Sequence, residues 1–179
     1  MKLEAIEKEI IENVKESILD NWEKDGATNW TVAMKESLAL LGKKNKYKVY
    51  TTLGKSRRQD KFAGGHEWLW DLCWSDEGKS LRDFRKLPLI VEIEWGNKGE
   101  IISDFQKLTV GIADNRLMIF YYDEEKGKRN ENWVKEVIND MEKCPSAKGQ
   151  RIILIAVPSN DKDKILSYIL ENGKTIKTE

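Results

Sequence analysis

The chain has two cysteines, three prolines and a single histidine in 179 residues. Cys73, Cys144 and His66 are too few for a zinc cluster or a disulfide framework, and sparse cysteine suits a reducing compartment. Charge of one sign is lacking as well. Lys plus Arg number 31 and Asp plus Glu number 31, so any polyanion partner has to be met by a local patch. No apolar run approaches the length of a membrane span, and the charged start Met1-Lys2-Leu3-Glu4 is unlike a signal peptide. The expectation is a soluble, cytoplasmic protein with no membrane partner. What is abundant is tryptophan: there are seven, with Trp68, Trp70 and Trp74 inside one short stretch. Their strict alternation reads as packing under a helix, although such rings can also stack bases.

Hydrophobic spacing supplies the elements. Leu3, Ile6, Ile10, Val14, Ile18 and Trp22 recur at three- and four-residue steps, predicting a helix over residues 2–24. A second helix, 29–41, carries Trp30, Met34, Leu38 and Leu41 on one stripe, with Glu36 between Val32 and Leu40 on another. Strands are expected around Tyr47–Thr51, Glu67–Trp74 and Leu87–Trp95. A helix at 100–113, strand 117–122, helix 131–143, strand 151–157 and helix 162–171 follow. Three successive strands and then alternating helix and strand predict an α/β fold, a mixed central sheet flanked by helices. With no linker long enough to split it, the chain reads as one domain over 1–179. Residues 1–28 are an extra N-terminal helical extension, 29–160 the core and 161–179 a C-terminal helix.

The chemistry concentrates on acids placed in apolar strands. In Leu89-Ile90-Val91-Glu92-Ile93-Glu94-Trp95, alternation puts Glu92 and Glu94 on one face, and Asp71 interrupts the preceding strand in the same way. If those strands pair, three carboxylates share a face. Two unit charges about 5 Å apart repel by roughly 3 kcal/mol at an effective dielectric near 20. Protonation, a lysine or arginine, or a bound divalent ion has to relieve that repulsion. Oxygen-only donors suit Mg²⁺ or Mn²⁺ better than zinc. The alternative is that these glutamates form the wet face of an antiparallel sheet.

Asp71, then Glu92-Ile93-Glu94, then a helix containing Asp104-Phe105-Gln106-Lys107-Leu108, resembles the PD-(D/E)xK nuclease superfamily, the restriction endonuclease-like fold. The resemblance covers about residues 29–123. It implies an αβββαβ core, with Glu94 in the usual lysine position, as in the Glu-x-Glu variant. It further implies that Asp71, Glu92 and the Ile93 carbonyl hold Mg²⁺ or Mn²⁺. Glu94 would orient or deprotonate water, and Glu36 would be the acid supplied by the preceding helix. Lys107 is the candidate for a lysine moved onto the following helix. A helical wheel places it on the solvent side and puts Gln106 nearer the buried edge. The implied activity is metal-dependent hydrolysis of phosphodiesters, most naturally in double-stranded DNA, by a restriction or defence endonuclease working as a homodimer. The alternative is a non-catalytic module of the same fold that binds nucleic acid or protein.

Charge is unevenly spread. Between Lys43 and Lys61 there are eight basic residues against Asp60 alone, whereas the first 25 residues hold eight acids and four lysines. Lys55, Arg57, Arg58 and Lys61, with Arg82 and Arg85 before the Glu92 strand, are therefore the candidate phosphate contacts. Gly54-Lys55-Ser56 is not a phosphate-binding loop, because Val49 stands where its first glycine is required.

Overall fold

A computed structural model of the protein describes residues 3–23, 27–52, 69–77, 84–123 and 130–178. The expected α/β class is what it shows: among the described residues there are four α-helices and a seven-stranded mixed sheet whose strands follow one another in sequence order. The chain divides into two compact units. The first comprises Lys2–Val91 with Ile112–Asn115, and the second Glu92–Gly111 with Arg116–Glu179.

The first unit opens with α1 (Ala5–Asp20), whose Ile10, Val14 and Ile18 are fully buried. The backbone N–H of Glu4 donates to Glu7 Oε2 at 2.8 Å and satisfies a donor that the first helical turn leaves over. Helix α2 (Ala27–Lys44) buries Trp30, Met34, Leu38 and Leu41 as the periodicity predicts. It ends where Lys46 takes a left-handed conformation, φ 64°, and the Tyr47 N–H returns to the Gly42 carbonyl at 2.9 Å. Strand β1 (Lys48–Thr51) pairs antiparallel with β2 (Leu72–Glu77), Val49 opposite Trp74. Strand β2 in turn pairs antiparallel with β3 (Phe84–Glu94), Trp74 opposite Leu89 and Leu72 opposite Val91. Gly42 is needed where α2 crosses β2. A Cβ there would lie 2.5 Å from Nε1 of the fully buried Trp74, which donates to the Leu38 carbonyl at 3.0 Å. Leu72, Cys73, Trp74 and Ser75 are all buried, so both faces of β2 are covered.

In the second unit, α3 (Lys98–Val110) starts at Asn97. The Asn97 side chain accepts from the N–H groups of Gly99 and Glu100, while Glu100 accepts from the Asn97 N–H at 2.7 Å. Arg116 closes the other end, donating to the carbonyls of Leu108 and Gly111 at 3.2 and 2.8 Å. Strand β4 (Asn115–Tyr122), α4 (Glu131–Glu142) and β5 (Arg151–Pro158) make a βαβ unit, with β4 and β5 parallel and Ile119 opposite Ile155.

The C-terminal helix expected over 161–179 is instead a short 3-10 turn (Lys162–Lys164) and two strands, β6 (Leu166–Glu171) and β7 (Lys174–Lys177). Leu166, Ile169 and Leu170 have helical spacing because β6 is covered on both sides, so apolar residues replace the alternation of a half-wet strand. The decisive signal is Asn172-Gly173, with φ values of 54° and 74°, the left-handed pair of a tight hairpin. At β7 the Thr175 N–H donates to Glu142 Oε1 of α4 at 2.8 Å.

Candidate functional site

At the end of β3, alternation leaves Glu92 and Glu94 on the face opposite Ile93. Glu92 is not on a wet surface: it is 3% exposed. A carboxylate this deep needs a compensating charge or hydrogen bonds. Lys107 provides part of this from α3, its Nζ 3.5 Å from Glu92 Oε1 and 2.7 Å from Asp104 Oδ1. Asp104 and Lys107 are three residues apart, the spacing that brings side chains of a helix together. The Lys107 ammonium is held above its ordinary pKa, chiefly by the hydrogen bond to Asp104, against some desolvation and with help from the Glu92 charge. The helical wheel is correct that the base of Lys107 faces outward. Its long stem nonetheless carries the charged head back to a buried acid.

The Glu94 carboxyl is pushed above the ordinary glutamate value of 4.5, first by burial, then by the hydrogen bond and charge of Asp104 and by the charge of Glu100. The Gly96 N–H opposes this. That N–H donates to Glu94 Oε1 at 2.5 Å. A Cβ on residue 96 would meet the Glu100 carboxylate and sit 2.7 Å from Glu94 Oε1, so both flexible side chains would have to move aside. Asp104 thus faces Glu94 on one side and the Lys107 ammonium on the other.

In the first unit, Asp71 stands immediately before β2 and is partly exposed. Lys35 Nζ lies 2.9 Å from its Oδ1, and its carbonyl accepts from Thr51 Oγ1 at 2.7 Å. Lys35 itself is buried in α2. The β2–β3 ladder ends on the pair Leu72 and Val91; Asp71 precedes the former in the chain, and Glu92 follows the latter.

The remaining expected residues fare differently. Glu36 is exposed on the outer side of α2, in a row with the exposed Leu40. Gln106 is exposed on α3, and its carbonyl accepts from Thr109 Oγ1. Ile93 is buried. Lys55, Arg57, Arg58, Lys61 and Arg82 lie outside the described residues, as does the side chain of Arg85. Two site residues escape the sequence reading. Asp104 was signalled only by its helical spacing from Lys107, and Lys35 only by its position beside Met34 on a buried stripe.

The donors gathered here are carboxylate oxygens, the chemistry a Mg²⁺ or Mn²⁺ ion takes. Their kind therefore fits such an ion. Their number is short: among the described residues no group of three or more His, Cys, Asp or Glu is placed to hold a metal.

No family model matches the chain, and no curated protein does. Among solved structures, it is similar to the YaeQ protein from Xanthomonas axonopodis pv. citri at 13% identity, over 80% of this chain and 76% of that one, with a TM-score of 0.29. A likeness that slight carries no argument about fold or activity. Among the described residues no helix is long and apolar enough to cross a membrane.

Proposed function

We propose that the chain is a metal-dependent phosphodiester hydrolase acting on double-stranded DNA, with Glu92, Glu94 and Lys107 at the reacting centre. The observation that carries this reading is Lys107 Nζ at 3.5 Å from the buried Glu92 carboxylate. A strand acid facing a lysine of the next helix is similar to the acid–lysine pair of the resembled superfamily, with the lysine displaced along the chain. A reacting glutamate gains from the low dielectric, where its charge acts more strongly.

Glu92 and the Ile93 carbonyl would hold Mg²⁺ or Mn²⁺, with Asp71 added on the strength of the resemblance. The ion when bound supplies Lewis-acid polarisation of the phosphate and a more acidic water. Glu94, whose carboxyl takes a proton more readily than an ordinary glutamate, accepts a proton as a general base. Lys107 places a positive charge where negative charge grows on the phosphate oxygens. The basic stretch Lys55–Lys61, with Arg82 and Arg85, would meet the DNA backbone, and two copies acting as a homodimer would cut both strands. Such an enzyme would work in the cytoplasm as a restriction or defence endonuclease.

A second reading, a non-catalytic nucleic-acid or protein-interaction module, is favoured by one observation. Asp71 and Glu92 each already face a lysine, Lys35 and Lys107. Incubating the purified protein with plasmid and oligonucleotide DNA in Mg²⁺ separates the two. The hydrolase cleaves, and Glu92→Gln and Lys107→Met abolish cleavage while the melting curve stays cooperative. DNA retained on a gel but never cut, with Mg²⁺ or Mn²⁺, overturns the first reading in favour of the second.

A further inference from the structure

The first unit contains a cavity of about 530 Å³, within the roughly 300–1,000 Å³ typical of small-molecule sites. Separate stretches of chain converge on it: Glu4 at the start of α1, Asn45 and Tyr47 at the α2–β1 junction, Lys86 on β3, and Asp114 and Asn115 entering β4.

Two of the polar side chains lining it are tied to the backbone. Asn45 Nδ2 donates to the Leu41 carbonyl and Asn115 Nδ2 to the Pro88 carbonyl, both at 3.0 Å. Each amide thereby spends one of its two hydrogens and keeps Oδ1 as an acceptor. Tyr47 stacks on the buried Trp74, with ring centroids 5.7 Å apart and planes 22° apart, which sets a flat wall. The Trp74 N–H is already bonded to Leu38 and adds no donor. Lys86 Nζ lies 2.6 Å from Asp114 Oδ2, so the one cation of the lining is matched by one acid and Glu4 leaves a net negative charge.

From this lining the geometry points to a binding site for a small, flat organic cation, an amidinium, guanidinium or aminated ring. The ring rests against Tyr47, and its N–H groups donate to Asn45, Asn115 and the carboxylates of Glu4 and Asp114. An anion of the same shape is disfavoured by the net negative charge that Glu4 leaves once Lys86 and Asp114 are paired. The site is separate from the Glu92 chemistry and does not depend on it.

Benzamidine and benzoate test this, since they share a ring and carry opposite charge. In calorimetric titrations of the full chain, benzamidine saturates one site with a dissociation constant of about 1 mM or tighter, as a fragment of that size allows. Benzoate gives no saturable heat. Asp114→Asn and Glu4→Gln, which keep the shape and remove a charge, each weaken benzamidine about tenfold, a charge-assisted hydrogen bond being worth that much. Tyr47→Leu also weakens it, with a melting curve run alongside to confirm that the variant is folded. Benzoate binding as tightly as benzamidine overturns the proposal. So does the absence of saturable heat at benzamidine concentrations well above that constant, or an affinity unchanged in both charge-removing variants.

Discussion

Lys107, half exposed on α3, places its ammonium 3.5 Å from the carboxylate of Glu92, which is almost entirely buried at the end of β3. The pair is asymmetric. Water can solvate the lysine once the contact is lost, whereas the glutamate has little access to water.

Lys107→Met should therefore destabilise the protein by about 1–2 kcal/mol near neutral pH, between the values for an exposed pair and a buried one because one partner is exposed. The loss should shrink as pH falls, since a buried carboxyl without its cation takes up a proton more readily. Lys107→Arg should recover most of the stability. Urea denaturation of the three proteins at two pH values checks this.

Tyr168 on β6 gives a pH dependence of known sign. Burial, with a smaller contribution from the Glu131 charge, raises its phenol above the ordinary value of 10.0. The folded state then binds more protons than the unfolded state in the window above pH 10, so stability falls as pH rises through it. The contribution is complete below the unfolded value and is lost above the folded one. Tyr168→Phe should remove that part of the alkaline loss, as read from thermal melts across the window. An identical pH profile in the variant would count against it.

Gly42→Ala should cost about 1–3 kcal/mol, although alanine is the better helix former. The new methyl would lie 2.5 Å from Trp74 Nε1 and 2.8 Å from Val49 Cγ2, and neither can move freely because Trp74 is fully buried and bonded to Leu38. An unchanged midpoint in chemical denaturation would show that α2 can lift away from β2.

If the hydrolase reading holds, Mg²⁺ stabilises the native state by mass action, by about 2.7 kcal/mol at a hundredfold excess over its dissociation constant. Glu92→Gln should abolish the rise in melting temperature without removing the Lys107–Asp104 contact. A melt indifferent to Mg²⁺ and Mn²⁺ in the wild type would leave the ion without a role.

Much of this architecture was legible because burial imposes a period. The stripe from Trp30 to Leu41 and the apolar run from Leu89 to Ile93 each match one element of the structure. Periodicity misled where both faces of an element are covered, as in β6, because the alternation that marks a strand then disappears. The Asn172-Gly173 pair, left-handed in the structure, is the local feature that marks a hairpin there. At the site, Glu92 and Glu94 stood out as charges in an apolar run. Lys107 was read from the direction of its Cα, which says little about where a four-carbon stem delivers its charge. Lys35 and Asp71 come from distant parts of the chain, and no local pattern foretells their 2.9 Å contact.

The carboxylate of Glu142 on the Thr175 N–H bears on assembly. A sheet laid down in chain order leaves its outermost strands as templates on which foreign strands can polymerise. On the β7 margin an incoming segment would have to evict a charged group from the amide it needs, with Lys174 and Lys177 close at hand. Fibril growth is therefore opposed on that side by one glutamate reaching across from a helix.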